Sequence, residues 1–263
     1  MGEEATRAEA RRQKALALVT SRGFVRVTDL AKELQVSGVT VRHDLESLHR
    51  AGSVRRVRGG AVARQGVVPA EQSFEEALTA SADEKRRIGE AAAAMVRSGT
   101  SVLIDVGTTT TAIAHALAAR VDLKDVVVIT NALNIALLLE QAVPRFSIVV
   151  TGGTLRPLQH SLVAPLVGEV LARVRADIAF VGCSGIDVDH GVTNVNLPEA
   201  EVKTLMMASA ARTVVVADAS KLGRVHLGVV AGVSQVDTIV TGAGADPGWV
   251  RRVEAAGTSV LPV

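Results

Sequence analysis

Val36-Ser37-Gly38-Val39-Thr40-Val41-Arg42-His43-Asp44-Leu45-Glu46-Ser47-Leu48 decides how the first part of this chain folds. Ser37 is a good N-cap, and Val41, Leu45 and Leu48 recur at i, i+4 and i+7, so the spacing predicts a helix over residues 38–50 that Gly52 closes. A shorter helix precedes it, with Thr28 as its expected N-cap and Leu30, Ala31 and Leu34 on one face. Ala15, Leu16, Leu18 and Val19 form an earlier apolar stripe, predicting a helix over residues 8–21 that Arg22-Gly23 ends. Two helices joined by a turn of a few residues make a helix-turn-helix, whose second member enters the major groove of DNA. With the apolar stripe inward, Gly38, Thr40, Arg42 and His43 lie on or beside the outward face. Arg can donate twice to guanine, Thr can read a thymine methyl or touch phosphate, and the Ser37 cap leaves helix-end N–H groups for a phosphate.

Beyond Gly52, Val54-Arg55-Arg56-Val57-Arg58-Gly59-Gly60-Ala61-Val62 alternates apolar with basic and turns at a glycine pair. We read a small β-wing on which Arg55, Arg56 and Arg58 are placed to neutralise phosphates of double-stranded DNA. The charge distribution agrees. Residues 1–65 hold 13 Lys and Arg against 7 Asp and Glu, whereas the remainder holds 16 against 20. A basic head on an acidic body is the electrostatic outline of a polyanion-binding module joined to something else.

Residues 64–72 lack helical or strand periodicity and contain Gly66 and Pro69, so the domain boundary falls there: a head over 1–63, a linker over 64–72 and a body over 73–263. In the body, strand-like runs at residues 101–106, 126–130, 147–151, 178–182, 213–217, 238–241 and 259–263 alternate with helical stretches. That rhythm predicts an α/β domain with a mostly parallel sheet. Ligands of such sheets collect at the carboxyl ends of the strands, which is where the polar residues stand. Asp105-Val106-Gly107-Thr108-Thr109-Thr110 leads into a helix, with Gly permitting close backbone approach and the helix start favouring an anion. The Gly-Lys-Ser/Thr ending of a Walker loop is missing. Thr130-Asn131, Gly152-Gly153, Gly182-Cys183-Ser184-Gly185 and Asp218-Ala219-Ser220-Lys221 close further strands. Together with Lys221 they point to a phosphate-sized anion site.

The run from Val36 to Leu48, with Val57-Arg58-Gly59-Gly60-Ala61, resembles the N-terminal signature of the DeoR family of regulators. The body is similar to that family's sensor domain over residues 73–241, through Asp105-Val106-Gly107-Thr108-Thr109, Thr130-Asn131, Gly152-Gly153, Glu199 with Lys203, and Asp218-Ala219-Ser220-Lys221. The resemblance implies a winged helix-turn-helix followed by a sensor domain with the fold of ribose-5-phosphate isomerase. It implies a DNA-binding regulator, a repressor of a carbohydrate catabolic operon, released or retained by a phosphorylated sugar effector. By the same resemblance Gly107, Thr108, Thr109, Thr110 and Lys221 hold the phosphate, while Asp105, Asn131, Glu199 and Lys203 surround the sugar. Two positions depart from the family pattern: His43 stands where a second basic residue is usual, and Gly242 where the last strand end usually carries Asp.

Several features have plainer readings. Glu199 and Lys203, four apart, could form a surface helix pair, and Asp105 could cap the next turn. Cys183, the single cysteine, reads as a packed small hydrophobe and excludes an intrachain disulfide or a cysteine zinc site. His115, His160, His190 and His226 lack metal-ligand spacing, and Asp187 with Asp189 lacks the remaining oxygens of a calcium site, so no metal or cofactor is expected. With no Tyr, one Trp and four Phe, a stacking reader of single strands is disfavoured. No apolar run is long enough to span a bilayer and no secretion signal is seen, so a cytoplasmic protein is expected; a short match to an acylation pattern at Gly2 has no second membrane signal beside it. Homo-oligomerisation is expected because helix-turn-helix proteins read paired half-sites. Two other functions fit parts of the chain: a sugar-phosphate isomerase with an appended head, using Asp105 or Glu199 as base, or an architectural DNA-binding protein whose body only assembles.

Overall fold

The structure is a computed structural model that describes residues 11, 12, 14–16, 18, 19, 24–50, 53–57, 59–63 and 71–263, the side chains of Arg55 and Ala63 excepted. The chain forms two units, Met1–Ala70 and Glu71–Val263.

In the first unit the described residues between 11 and 19 are helical, followed by β1 (Phe24–Arg26), α1 (Val27–Glu33), α2 (Gly38–Arg50), β2 (Val54–Val57) and β3 (Gly60–Ala63). Val41 and Leu45 are fully buried and Leu48 nearly so, alongside Ala15, Val19, Leu30, Val54 and Ala61. Each such side chain removed from water contributes roughly 1.5–3 kcal/mol when it is as large as Val or Leu. Ser37 caps α2 as the spacing predicts, accepting from the Thr40 N–H at 3.1 Å. Thr28 does not cap α1. That helix begins one residue earlier, at Val27, behind Arg26, and makes no side-chain cap. The reason lies in β1, which the sequence reading left unassigned: it pairs antiparallel with β3, Val25 opposite Ala61, and delivers the chain into the helix directly. Val27 N–H then donates to the Gly59 carbonyl at 2.9 Å.

A buried charge is tied into this small core. Asp44 on α2 is buried, and Arg11 grips its carboxylate with both Nε (2.6 Å) and Nη2 (3.1 Å). The hydrogen-bonded carboxylate in turn lifts the Arg11 guanidinium above its usual range.

In the second unit seven strands form one parallel sheet in the order β15-β14-β12-β9-β4-β5-β6. They are β4 (Ser101–Ile104), β5 (Val126–Thr130), β6 (Phe146–Val150), β9 (Ala176–Gly182), β12 (Ala210–Ala217), β14 (Thr238–Thr241) and β15 (Ser259–Pro262). Such a sheet must be covered on both faces, which is why its strands read as unbroken apolar runs. Val102, Ile104, Val214 and Val216 pack on one side with Ile88, Ile113, Leu117 and Ile135. Leu103, Val215 and Ala217 pack on the other with Val167, Leu171, Val202, Met206 and Val253. The covering helices are α4 (Ala82–Ala93), α5 (Thr108–Ala119) and α6 (Leu133–Leu139) on the first face, and α7 (Leu166–Leu171), α8 (Leu197–Ala208) and α9 (Pro247–Ala255) on the second. A one-turn α3 (Phe74–Leu78) precedes them.

The strand order reverses between β4 and β9. β4 and β9 are paired neighbours, and from that switch point β4, β5 and β6 step one way and β9, β12, β14 and β15 the other, the topology at which open α/β sheets form their ligand crevice beyond the strand ends. Two short antiparallel additions escape periodicity because their strands are only three or four residues long: the hairpin β7 (Thr154–Arg156) with β8 (Ser161–Val163), and a sheet of β10 (Gly185–Asp187), β11 (Gly191–Asn194) and β13 (Gly228–Ala231). Among the described residues no helix is long and apolar enough to cross a membrane.

Arg11→Ala strands the Asp44 carboxylate in the core without its cation. The expected cost is about 1–3 kcal/mol, below the ~3–5 kcal/mol of a fully buried pair because water reaches Arg11. Thermal unfolding of the first unit's residues reads it; an unchanged melting temperature would remove the pair from the list of stabilising contacts.

Candidate functional site

On the head, the N-terminal half of α2 presents Ser37, Val39, Arg42 and His43 to solvent, with Thr40 half-buried beside them. The Ser37 hydroxyl is shared with Thr40 Oγ1 at 2.8 Å, so these two side chains are already ordered before any contact is made. Val39, 71% exposed, is the most exposed apolar side chain there. Arg56 on β2 is exposed and ion-paired with Glu46 of α2, which fixes the wing strand to the helix that carries Arg42. His49 Nδ1 meets the Val54 carbonyl at 3.1 Å and reinforces the same junction. Arg58 and the side chain of Arg55 lie outside the described residues.

On the body, the crevice between β4 and β9 holds an ion pair. Asp105 follows β4, its N–H donating to the Phe180 carbonyl of β9 at 3.0 Å, and its side chain turns inward. Oδ2 accepts from the Gly182 N–H at 3.1 Å and from Lys203 Nζ of α8. Both side chains are almost wholly buried. Burial pushes the Asp105 carboxyl up, against the pull of Lys203. Burial pushes the Lys203 ammonium down, but Asp105 and Glu199 more than reverse this, so its net shift is upward and it stays charged. The surface-pair reading of Glu199 and Lys203 is therefore corrected: both are buried and each has a different partner. Glu199 accepts from Ser161 Oγ at 2.6 Å and pairs with Arg156. Asp105 does not cap the next turn; its other oxygen, Oδ1, has no partner within the protein.

Around this pair the expected residues sort into two groups. Gly107 opens α5 at φ 139°, a backbone state suited to glycine, and its carbonyl accepts from the Thr110 and Thr111 hydroxyls at 2.9 and 2.7 Å. That leaves the first N–H groups of α5 and the Thr108 and Thr109 side chains beside Asp105 as anion donors. Asn131 donates to the Leu162 carbonyl at 3.1 Å while its Oδ1 has no partner. Leu162 adjoins Ser161, so β8 brings Asn131 and Glu199 to one wall. Thr130, by contrast, spends its hydroxyl on the Ile104 carbonyl (2.6 Å) and the Ala132 N–H (3.1 Å), joining neighbouring strands. Gly153 packs under the Val163 carbonyl so tightly that a Cβ has no room, and Gly152 lies against Leu166; both seat the hairpin.

Lys221 rides on a short turn after β12, where its charge reaches Cys183, Lys85 and His226. The turn is held by Asp218, which accepts from the Ser220 N–H at 3.1 Å, and by Glu84 of α4, which accepts from the Ala219 N–H at 2.7 Å. A Cβ at Gly242 would land on that Glu84 carboxylate. The space beside position 242 is filled by the Glu84 carboxylate, whereas Asp246 is occupied in capping α9 through the Trp249 N–H at 2.8 Å.

Lys85 escaped the sequence reading. It is buried and donates to the Ala77 carbonyl at 2.7 Å; burial pushes its ammonium down, and Lys221 adds to the push. The signal was present, since Lys85, Ile88 and Ala92 share one helical face and a lysine on an apolar stripe is out of place. Arg156 and Ser161 gave no signal, lying on strands too short to have a pattern. Asp105 Oδ1 and Asn131 Oδ1 are left as unpartnered acceptors for hydroxyl donors. No cluster of metal-ligating side chains occurs among the described residues.

Comparison with known proteins follows the same division. Residues 11–66 match the DeoR-like helix-turn-helix domain and residues 80–243 the DeoR C terminal sensor domain. The HTH-type transcriptional regulator GlpR of Haloferax volcanii is 32% identical over 95% of this chain and 96% of its own. The HTH-type transcriptional repressor CsqR of Escherichia coli is 33% identical over 88% of this chain and 86% of its own. The glycerol-3-phosphate regulon repressor of Escherichia coli is 30% identical over 86% and 87%. Among solved structures, ribose 5-phosphate isomerase A of Methanocaldococcus jannaschii aligns with 54% of this chain and 55% of its own at 19% identity and a TM-score of 0.41, too distant a likeness to bear on activity.

Cys183 is half-buried, and desolvation by its surroundings pushes its thiol up to about 12, against the pull of Lys221 and Lys203. Because the thiolate is the reactive form, alkylation at pH 8 is expected to run at least about tenfold slower in the folded protein than in urea. Mass spectrometry of iodoacetamide-treated protein measures both rates; equal rates would show that the thiol sits in a polar, accessible place.

Proposed function

Since the chain belongs to the DeoR family of transcription regulators, we propose that it represses a carbohydrate catabolic operon and that a phosphorylated sugar bound in the β4–β9 crevice modulates its grip on operator DNA. It is a DNA-binding regulator and not an enzyme, as its relatives are. In this reading residues 1–63 bind DNA, residues 64–72 connect, and residues 73–263 sense. The protein works in the cytoplasm as a homo-oligomer, so that two α2 helices meet two half-sites.

On the DNA side Ser37, Thr40, Arg42 and His43 face the major groove, while Arg55, Arg56 and Arg58 hold phosphates. On the effector side the phosphate takes the Gly107–Thr110 loop and Lys221, with Lys85 added to that set. Asp105, Asn131, Glu199 and Lys203 surround the sugar; Thr130, Gly152 and Gly153 shape the walls. One observation carries the effector reading: Asp105 Oδ1 and Asn131 Oδ1 are buried acceptors without partners, at the carboxyl ends of the adjacent strands β4 and β5. Burying a polar group without a hydrogen bond costs about 1–3 kcal/mol. Two such groups in one crevice are what a polyol's hydroxyls satisfy.

The test is capture of fragmented genomic DNA on the immobilised protein, then elution at fixed salt with glucose 6-phosphate, fructose 6-phosphate or glycerol 3-phosphate. Discrete fragments released by one sugar phosphate are expected; discrete fragments that none releases would favour a purely architectural body, and no specific capture would overturn the regulator.

Arg42→Ala is expected to cost roughly 1–3 kcal/mol of operator affinity and to relax one base position. Arg56→Ala instead weakens all sequences and lowers the salt slope by about one unit. Gel-shift titrations over a salt series separate the two, and wild-type behaviour of both would displace α2 and the wing from the interface. Lys221→Ala is expected to abolish the sugar-phosphate response at unchanged operator affinity; a full response would remove Lys221 from the anion site.

A further inference from the structure

The crevice and the start of the second unit share one guanidinium. Arg156, on β7, donates through Nη2 to Glu71 Oε2 at 2.7 Å and through Nη1 to Glu71 Oε1 at 3.5 Å, and the same Nη1 pairs with Glu199. Two carboxylates thus compete for one cation, and burial makes the competition costly: Glu199 is 5% exposed, Arg156 and Glu71 under a fifth. Charges so poorly hydrated depend on each other far more than surface pairs do.

Two further contacts fasten the same few residues to the same hairpin. Gln159 Nε2 donates to the Gln72 carbonyl at 2.6 Å, and His160 Nε2 lies 2.8 Å from Glu75 Oε1, with its ring edge-on to Phe74 at 5.3 Å. The other side of the hairpin is built into the crevice wall. Leu162 N–H donates to the Asn131 carbonyl at 2.8 Å, Asn131 Nδ2 returns to the Leu162 carbonyl, and Ser161 Oγ donates to Glu199. Residues 154–163 therefore touch the proposed sugar-binding groups with one strand and residues 71–75 with the other strand and the turn.

We propose that this hairpin relays occupancy of the crevice to residues 71–75, with Arg156 as the shared element. The proposal rests on the crevice being an effector site and adds how that site is read out. A ligand hydroxyl that donates to Glu199 relieves the buried carboxylate of its need for Arg156. The guanidinium then gives its full fork to Glu71, and the strap of residues 71–75 tightens where the connection from the head ends. Because coupling is reciprocal, operator binding must alter sugar-phosphate affinity by the same factor.

The experiment uses the full chain, wild type and Glu71→Gln, with glucose 6-phosphate, fructose 6-phosphate, glycerol 3-phosphate and inorganic phosphate as probes. Melting temperature reports occupancy, hydrogen exchange over residues 72–79 reports the strap, and release of captured operator fragments reports coupling. In wild type, the probe that raises the melting temperature should slow exchange over 72–79. In Glu71→Gln the melting shift should survive while the exchange change disappears and operator release falls to within about twofold of none. Unchanged or faster exchange in the occupied wild type, or full release in Glu71→Gln, would overturn the relay. If no probe raises the melting temperature, it is the effector reading that fails. The relay is then read without ligand, from Glu71→Gln, Glu199→Gln and the double variant: melting shifts that do not add support a shared Arg156, and additive shifts sink it.

Discussion

The second unit is organised around a charge it cannot hydrate. Asp105 and Lys203 meet where the parallel sheet changes direction, below the reach of bulk water. Either alone would be untenable there, because removing one partner of a buried pair costs about 3–5 kcal/mol. The pair also sets distances. Through Gly182 it ties β4 to β9, and through Lys203 it draws α8 over the crevice, so that Glu199, one turn earlier, lands beside Ser161 and the hairpin. What looks like a stability device is equally a positioning device for Glu199 and the wall it shares with Ser161. The first unit repeats the logic on a smaller scale, Arg11 and Asp44 fixing α2.

Such sites sit on a scaffold that demands little of individual residues. A parallel sheet covered on both faces needs apolar volume and β-branched stiffness, supplied by runs such as Val126–Thr130 and Ala210–Ala217. The helices need an apolar stripe, and the core then contributes through its number of buried side chains rather than through any single one. Of the polar residues at the strand ends, Thr130 stitches β4 to β5 and Asp105 ties β4 to β9 through Oδ2, whereas Oδ1 of Asp105 and Oδ1 of Asn131 are left without protein partners.

That division explains what could be read in advance. β5 and β14 fall at the predicted residues because a strand buried on both faces writes itself as a contiguous apolar run. The helix over 38–50 and its Ser37 cap were legible because cap and stripe are local. Asp105, Lys203, Asn131 and Glu199 were named, but their pairing was not, since partners 98 residues apart in the chain leave no periodic trace. The Thr28 cap was misplaced because a three-residue strand, invisible as alternation, already directs the chain into α1. Thr130, expected in the ligand site, turned out to stitch strands together, a use of its hydroxyl that only the neighbouring Ile104 carbonyl reveals. Lys85 is the instructive omission: the very regularity that identified its helix should have flagged a cation on the inner face.

The carboxylate that Glu84 lays across Gly242 also couples the two positions. Two positions on separate elements draw on a single space, so neither can be changed as though the other were absent. A side chain at 242 enters only if the flexible end of Glu84 swings aside, and a small residue at 84 leaves the Ala219 N–H without its acceptor. A change at either position is therefore felt at the turn of residues 219–221, which neither of them belongs to.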